Sequence, residues 1–453
     1  MARRFDEDLD LASERPDAER DGGRGAANDF PDADRSADRD RGDDLDGPDP
    51  DLSFGAKPVR VPLAVAFVAA VAGCFFAGTS TADFVAHLDR QVHALHCSVV
   101  PGAKAQIGES GCRAVMLSPY SSWFRESYWG GIPVALWALA VFAFLAYRLG
   151  HLTWRGQPRR SEAGFLVAAT LLPVLMSGIY GYLAYAQVGA ICTVCAGIYV
   201  TSGLTFLGSL AALLMIERSP TPDVHAVRRF GVGVAEGCGF VFALSLVYLA
   251  WLPDAGGERG PAGCGALVQP EDEAGIMVDV ARVPGGKPTI EVLDPLCPAC
   301  RAFDARLTAS GLDVKLDQRA VLFPLDSSCN WMVTDSLHPG ACAVSEAMLC
   351  ASPAQAKVIL GWAFANQEAL LAEAKADEPK LRARLKSQFP EVAGCLGTPV
   401  AKNKVVKSLR WAVANALPVM TPQLFVDGTR LCDEDTDLGL DYTLTRMLQG
   451  GAR

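Results

Sequence analysis

Histidine is scarce, with six in 453 residues, and none directly follows either C-x-x-C pair, Cys192/Cys195 or Cys297/Cys300. Covalent haem attachment, which needs C-x-x-C-H, is thereby excluded. The region after residue 252 holds no C-x-x-C besides Cys297/Cys300. A structural zinc site wants a second close-spaced pair, so no metal is expected. The first fifty residues have no lysine and no apolar period: 17 acidic side chains stand against 8 arginines, which places nine of the formal ten negative charges there. Such a segment cannot bury enough surface to offset its ordering entropy, and residues 1–57 are expected to form a disordered acidic cytoplasmic tail. No short basic leader precedes the first apolar run. That run is therefore expected to remain as an anchor rather than be cleaved as a signal peptide. No nucleic-acid partner is expected.

Half of the residues are apolar, a composition that leans toward a membrane protein. Five apolar segments, 59–79, 131–149, 163–188, 196–216 and 230–252, approach the ~20 residues needed to cross a hydrocarbon core. Basic residues flank them unevenly. Lys57 and Arg60 precede the first span, Arg148, Arg155, Arg159 and Arg160 lie between the second and third, and Arg218, Arg228 and Arg229 between the fourth and fifth. The positive-inside rule puts all three clusters in the cytoplasm, so the loop 80–130 and everything after residue 252 face outward. Of 14 cysteines only Cys74 and Cys238 fall well inside spans, where small apolar packing is their simplest role. The others lie on or near the outer face, as suits an oxidising compartment.

After a Gly- and Pro-rich tether, expected over 253–286, "KPTIEVLDPLCPACRAFDARL" reads as a strand (288–293), a turn, and a helix opening at Cys297. The positive end of that helix lowers a thiol pKa, which makes Cys297 the nucleophile and Cys300 the resolving thiol of an exchangeable disulfide. A permanent structural bridge is the competing reading. C-P-A-C after a strand, followed much later by "VMTPQLFVDGTRL", resembles the thioredoxin fold. The resemblance implies a cis proline at Pro422, beside the dithiol, where the backbone before it pairs with the substrate chain. A hairpin (424–426 and 429–431, turning at Asp427-Gly428) continues the fold over 287–453. The helical patterns "ACAVSEAMLCA" and "AKVILGWAFANQEALLAEA" resemble the helical insertion of its thiol-oxidising periplasmic branch. Cys264, Cys329, Cys342, Cys350, Cys395 and Cys432 remain, and six cysteines allow 15 pairings among which the sequence does not choose.

Residues 58–218 carry a second resemblance. Cys192 and Cys195 at the outer start of the fourth span, two upstream loop cysteines, and "CRAVMLSPYSSW…GGIP", with Cys112, Ser118, Tyr120, Gly131 and Pro133 in register, are similar to the vitamin K epoxide reductase family. The expected fold class is thus a mostly α membrane protein. It comprises a four-helix transmembrane bundle and a fifth transmembrane helix (228–252), followed by an α/β thioredoxin-fold domain with a helical insertion.

The resemblance implies a quinone of the ubiquinone or menaquinone type as cofactor, and reduced secreted or periplasmic proteins as substrates. Membrane lipid and quinone are the other partners. The implied location is a bacterial inner membrane, with the thioredoxin-like domain outside. Cys97 would be attacked by the outer domain's thiolate, Cys112 would exchange with Cys192, and Cys195 would face the quinone. For Cys97 and Cys112, with 14 residues between them, a structural bridge is the alternative, at about 3 kcal/mol in the chain-entropy account. Ser118 and Tyr199 would offer hydroxyls to the quinone oxygens, Tyr199 standing one helical turn past Cys195; an interfacial aromatic is the other reading of Tyr199. No Asn occurs from 131 to 149, where the family's animal members place one near the ring. The aromatics of "SSWFRESYWGG" would form a lid over the site or mark the membrane interface. Two other functions compete: a reductase bringing electrons outward, and a membrane-anchored, disulfide-stapled binding domain.

Overall fold

A computed structural model describes residues 56–88, 111–156, 158–217, 225–252 and 264–450. Residues 1–55 of the acidic tail, and Cys97, lie outside the described residues. Helix α1 (Ala56–Leu88) runs for 33 residues, well past residue 79 where the apolar run ends. At ~1.5 Å per residue it is about 50 Å long, more than a ~30 Å hydrocarbon core requires. The polar Thr-Ser-Thr stretch does not stop it, because Thr79 and Thr81 turn their hydroxyls onto the carbonyls of Phe75 and Ala77, at 2.9 and 2.8 Å. The extra turns carry Phe84, His87 and Leu88 toward the C-terminal domain.

A short helix α2 (Gly111–Met116) and a two-strand ribbon, β1 (Ser122–Trp123) with β2 (Ile132–Pro133), lead into α3 (Val134–Arg155). Helix α4 (Arg160–Leu183) ends in a π turn, Ala184–Val188, and is followed by α5 (Thr193–Met215) and α6 (Ala226–Trp251). These give five helices long and apolar enough to cross a membrane. Helix α1 packs against α3 and α5, α4 against α5, and α6 against α3 and α4. Gly208 lets α5 approach α1, since a Cβ there would meet the Pro62 carbonyl and Ala66. The hydroxyls of Thr201, Ser202, Thr205 and Ser209 on α5 bond to carbonyls one turn back and so are satisfied within their own helix. Arg148 and Glu236, 3.2 Å apart, tie α6 to α3.

The C-terminal domain is a five-stranded sheet in the order β3-β5-β4-β6-β7. Strand β3 (Val278–Ala281) lies within the stretch read as a tether; its alternating buried Val278 and Val280 are hidden in the sequence by Gly- and Pro-rich flanks. Strand β4 (Lys287–Leu293), helix α7 (Pro298–Ser310) and the parallel strand β5 (Leu316–Leu322) form a crossover unit. Five helices follow: α8 (Ala341–Cys350), α9 (Pro353–Ala365), α10 (Gln367–Ala376), α11 (Glu378–Gln388) and α12 (Pro399–Ala414). The antiparallel β6 (Gln423–Val426) and β7 (Thr429–Arg430) and helix α13 (Leu440–Leu448) complete a thioredoxin fold with a helical insertion. One face of the sheet packs on the insertion, the other on Phe303, Leu307, Leu440 and Leu444 of α7 and α13.

The six remaining cysteines pair as Cys264–Cys432, Cys329–Cys342 and Cys350–Cys395. The domain meets the bundle through Leu438, which packs with Phe84, Leu88 and Trp129. Polar contacts ring this cluster: His87 to Asp437 at 2.7 Å, the Trp129 indole donating to Asp435 at 2.8 Å, and Arg125 to Asp441 at 3.5 Å. Trp129 is therefore spent on the domain contact rather than on a lid or a lipid interface.

Candidate thiol relay and its apolar cavity

Cys192 caps the N-terminus of α5, its sulfur accepting the Cys195 backbone N–H at 3.4 Å. That position places the sulfur at the first turn of the helix. Cys112, on α2, brings its sulfur to 3.0 Å from that of Cys192. The approach depends on Gly111, where a Cβ would run into the Ile191 carbonyl. Cys195, one turn inside, lines a cavity of about 380 Å³ enclosed by α1, α3, α4 and α5. This is within the size of ordinary small-molecule sites.

The cavity wall is mostly apolar, broken by a few hydroxyls, the cysteine thiols and Asp83. Tyr199 lines it, its ring lying beside Gly181 of α4. Ser118 also lines it, but donates its proton to the Val115 carbonyl at 2.7 Å and so presents only lone pairs. Two groups escaped the sequence reading. The Tyr180 hydroxyl accepts the Trp123 indole N–H at 3.2 Å, and Ser177 and Ser202 share a hydrogen bond of 3.1 Å. Both sets line the same cavity, and nothing local in the sequence marks them. Cys74 packs in the bundle core and Cys238 is exposed on α6, so neither contributes to this cluster.

The second dithiol sits in the C-terminal domain. Cys297 caps α7 and Cys300 is completely buried beneath it. The Cys297 sulfur faces the Thr421 carbonyl at 3.8 Å, and the bond from Thr421 to Pro422 is cis. A hydrogen bond from Cys300, aided by Thr421 and the helix start, overcomes burial and holds the Cys297 thiol down at about 6. Burial, together with the neighbouring Cys297 charge, pushes Cys300 far up. The pair thus has the asymmetry of a nucleophile and a resolving thiol. Glu291 on β4 lies behind it, fully enclosed, bonded to Gln318 at 2.6 Å and raised by burial to about 8. It too escaped the sequence reading, because a single Glu in a strand carries no local signal.

Residues 64–210 match the model of the vitamin K epoxide reductase family. The match ends short of the thioredoxin-fold domain and takes in Cys112, Cys192, Cys195 and Tyr199. No curated protein matches the chain. Among solved structures, the oxidoreductase DsbA from Xylella fastidiosa is 20% identical, with 38% of this chain and 92% of that chain covered and a TM-score of 0.25. The helical bundle is thus similar to the vitamin K epoxide reductase family over residues 64–210, and its helices are long and apolar enough to cross a membrane.

Proposed function

We propose that the protein oxidises thiols of exported proteins to disulfides and passes the electrons to a membrane quinone. The observation that carries this reading is the 3.0 Å contact between Cys112 and Cys192 at an apolar cavity lined by Cys195. A soluble dithiol does not reach a lipid-dissolved acceptor, and a dithiol within the bundle does not reach a secreted protein. Two dithiols and an exchange partner between them resolve that conflict.

A client thiolate attacks Cys297 of the Cys297–Cys300 disulfide, Cys300 leaves as a thiol, and the client's second thiolate displaces Cys297. Two electrons are now on the outer pair. Cys297 then attacks Cys97 of a Cys97–Cys112 disulfide, and Cys300 resolves the mixed bond. Cys112 next attacks Cys192 of a Cys192–Cys195 disulfide, Cys195 leaves, and Cys97 closes on Cys112. The Cys192/Cys195 dithiol gives up two electrons and two protons to close the cycle. A quinone fits the cavity by its apolar wall and scattered hydroxyls, and supplies a two-electron, two-proton acceptor when bound. Tyr199 and Tyr180 would donate to its oxygens, and Ser118 would accept from a hydroxyl of the quinol once it forms. Pro422 and the Thr421 backbone align the client chain beside Cys297.

The three basic clusters orient the N-terminus toward the cytoplasm of a bacterial inner membrane, with the thioredoxin-like domain outside. The test uses purified protein, a reduced client protein and quinone, followed by quinol absorbance and client disulfides. Both products are expected to form in equal amounts, and both to vanish in Cys195→Ala. Quinone reduction that survives Cys195→Ala would sink the route.

A further inference from the structure

The residues between the outer cysteines, Pro298 and Ala299, carry no charge, so any cation that stabilises the Cys297 thiolate must come from elsewhere in the fold. One histidine is built into position. His338, in the loop before α8, bonds through Nδ1 to Asp294 Oδ2 at 2.8 Å. Asp294 is fully buried in the turn between β4 and α7, three residues before Cys297, and its own carbonyl accepts the Cys297 N–H at 3.1 Å. Its carboxylate is held on both oxygens: Leu296 N–H donates to Oδ1 at 2.8 Å and Leu325 N–H to Oδ2 at 2.7 Å. The His338 backbone is pinned to the same strand end, its N–H donating to the Leu325 carbonyl at 3.1 Å. The imidazole is thus fixed from two sides, 14% exposed, on the active-site turn.

We propose that His338, oriented by Asp294, is the fixed imidazolium that stabilises the Cys297 thiolate and makes it the better leaving group when a client disulfide forms. This rests on the reading of Cys297 and Cys300 as a redox dithiol. Asp294 is the positioning residue. Its carboxylate fixes the Nδ1 proton and offsets the burial that would otherwise favour neutral imidazole. The groups facing the pair are Asp294 and Asp326 around His338, with Cys300 beneath Cys297 and Glu291 behind Cys300. Burial works against protonation of His338, yet the Asp294 bond and the charges of Asp294, Cys297 and Asp326 raise it above the ordinary imidazole value. The electron balance is unchanged. The client dithiol loses two electrons to the Cys297–Cys300 disulfide; one proton goes to Cys300 and one to solvent, because Cys297 stays ionised beside His338.

The test uses the full chain in detergent, reduced, with iodoacetamide alkylation of the Cys297 peptide followed by mass spectrometry across pH. In His338→Gln the alkylation rate at pH 6 is expected to fall about fivefold, the loss of thiolate when a midpoint near 6 rises by about one unit, while the rate at pH 9.5 stays within twofold. His338→Lys is expected to restore the rate at pH 6. Equal loss at both pH values, or no loss, would overturn the assignment. Wild-type protein gives an independent arm, because the coupling is reciprocal. Deuterium exchange at the His338 ring carbon should titrate at higher pH in the dithiol form than in the disulfide form, and coincident midpoints would also overturn it. Failure of Cys297 to exchange with any client disulfide would instead remove the redox reading itself, and this inference with it.

Discussion

The sulfur of Cys192 lies 3.0 Å from that of Cys112, 80 residues earlier in the chain. Two thiols at that distance, one of them at a helix N-terminus, are placed for direct exchange. With Cys195 removed, Cys192 has no vicinal partner and is expected to accumulate as a Cys112–Cys192 cross-link. Non-reducing peptide mapping of Cys195→Ala reads this directly; a Cys192 found as free thiol throughout would contradict the exchange.

Gly111 holds α2 against the Ile191 carbonyl. In Gly111→Ala the added methyl must push α2 away, and the sulfurs separate. Electron transfer to quinone is expected to fall at least about tenfold (~1.4 kcal/mol in the barrier), with the client–Cys297 exchange rate unchanged. Stopped-flow measurement of both half-reactions separates the two.

Tyr199→Phe removes one hydroxyl from the cavity wall and keeps the ring. A net hydrogen bond of about 1 kcal/mol corresponds to roughly fivefold in affinity. KM for quinone is expected to rise by about that factor while Cys112–Cys192 exchange is unaffected. An unchanged KM would remove Tyr199 from the quinone contacts.

The outer dithiol sets a pH dependence whose sign follows from its directions. Cys297 is held down at about 6 in the folded protein, against ~8.5 in an unfolded chain. Its stabilisation of the dithiol form is therefore complete above about pH 8.5 and is lost as pH falls through 6. Melting of the reduced and oxidised proteins, compared from pH 9 to 5, should show the dithiol's advantage shrinking. Glu291 behaves oppositely: raised by burial to about 8, against ~4.3 unfolded, it contributes below about pH 4.3 and loses that contribution as pH rises through 8. Glu291→Gln should raise the melting temperature more at pH 9 than at pH 5.

Trp129 is 4% exposed, packed on Leu438 and bonded to Asp435. Truncating a buried aromatic costs ~3–5 kcal/mol, here against the contact between bundle and outer domain. In Trp129→Ala, amide exchange over 433–441 is expected to speed up, and electron transfer from Cys297 into the bundle to slow, with the Cys297–Cys300 dithiol itself still reactive toward client. Unaltered exchange over that segment would show that Trp129 does not hold the docking.

Spans and dithiols are legible in the chain because their physics is local. Crossing a hydrocarbon core demands a contiguous apolar run, and C-x-x-C at a helix start places two sulfurs one turn apart whatever surrounds them. Even so, α1 outran its apolar stretch, since Thr79 and Thr81 satisfied their own hydroxyls on the helix. Most of the chemistry between elements was not local. Six cysteines with 15 arithmetical pairings became three bonds only when α8, α12 and β7 packed. The Cys112 contact, the Tyr180 hydroxyl in the cavity, Glu291 behind Cys300 and His338 on Asp294 join residues far apart in the chain. By itself the sequence determined where the two C-x-x-C pairs lie and which segments are long and apolar enough to cross a membrane. Which sulfur meets which, and which charges surround them, was decided by tertiary packing, because only packing brings distant side chains within ångströms and strips away the water between them.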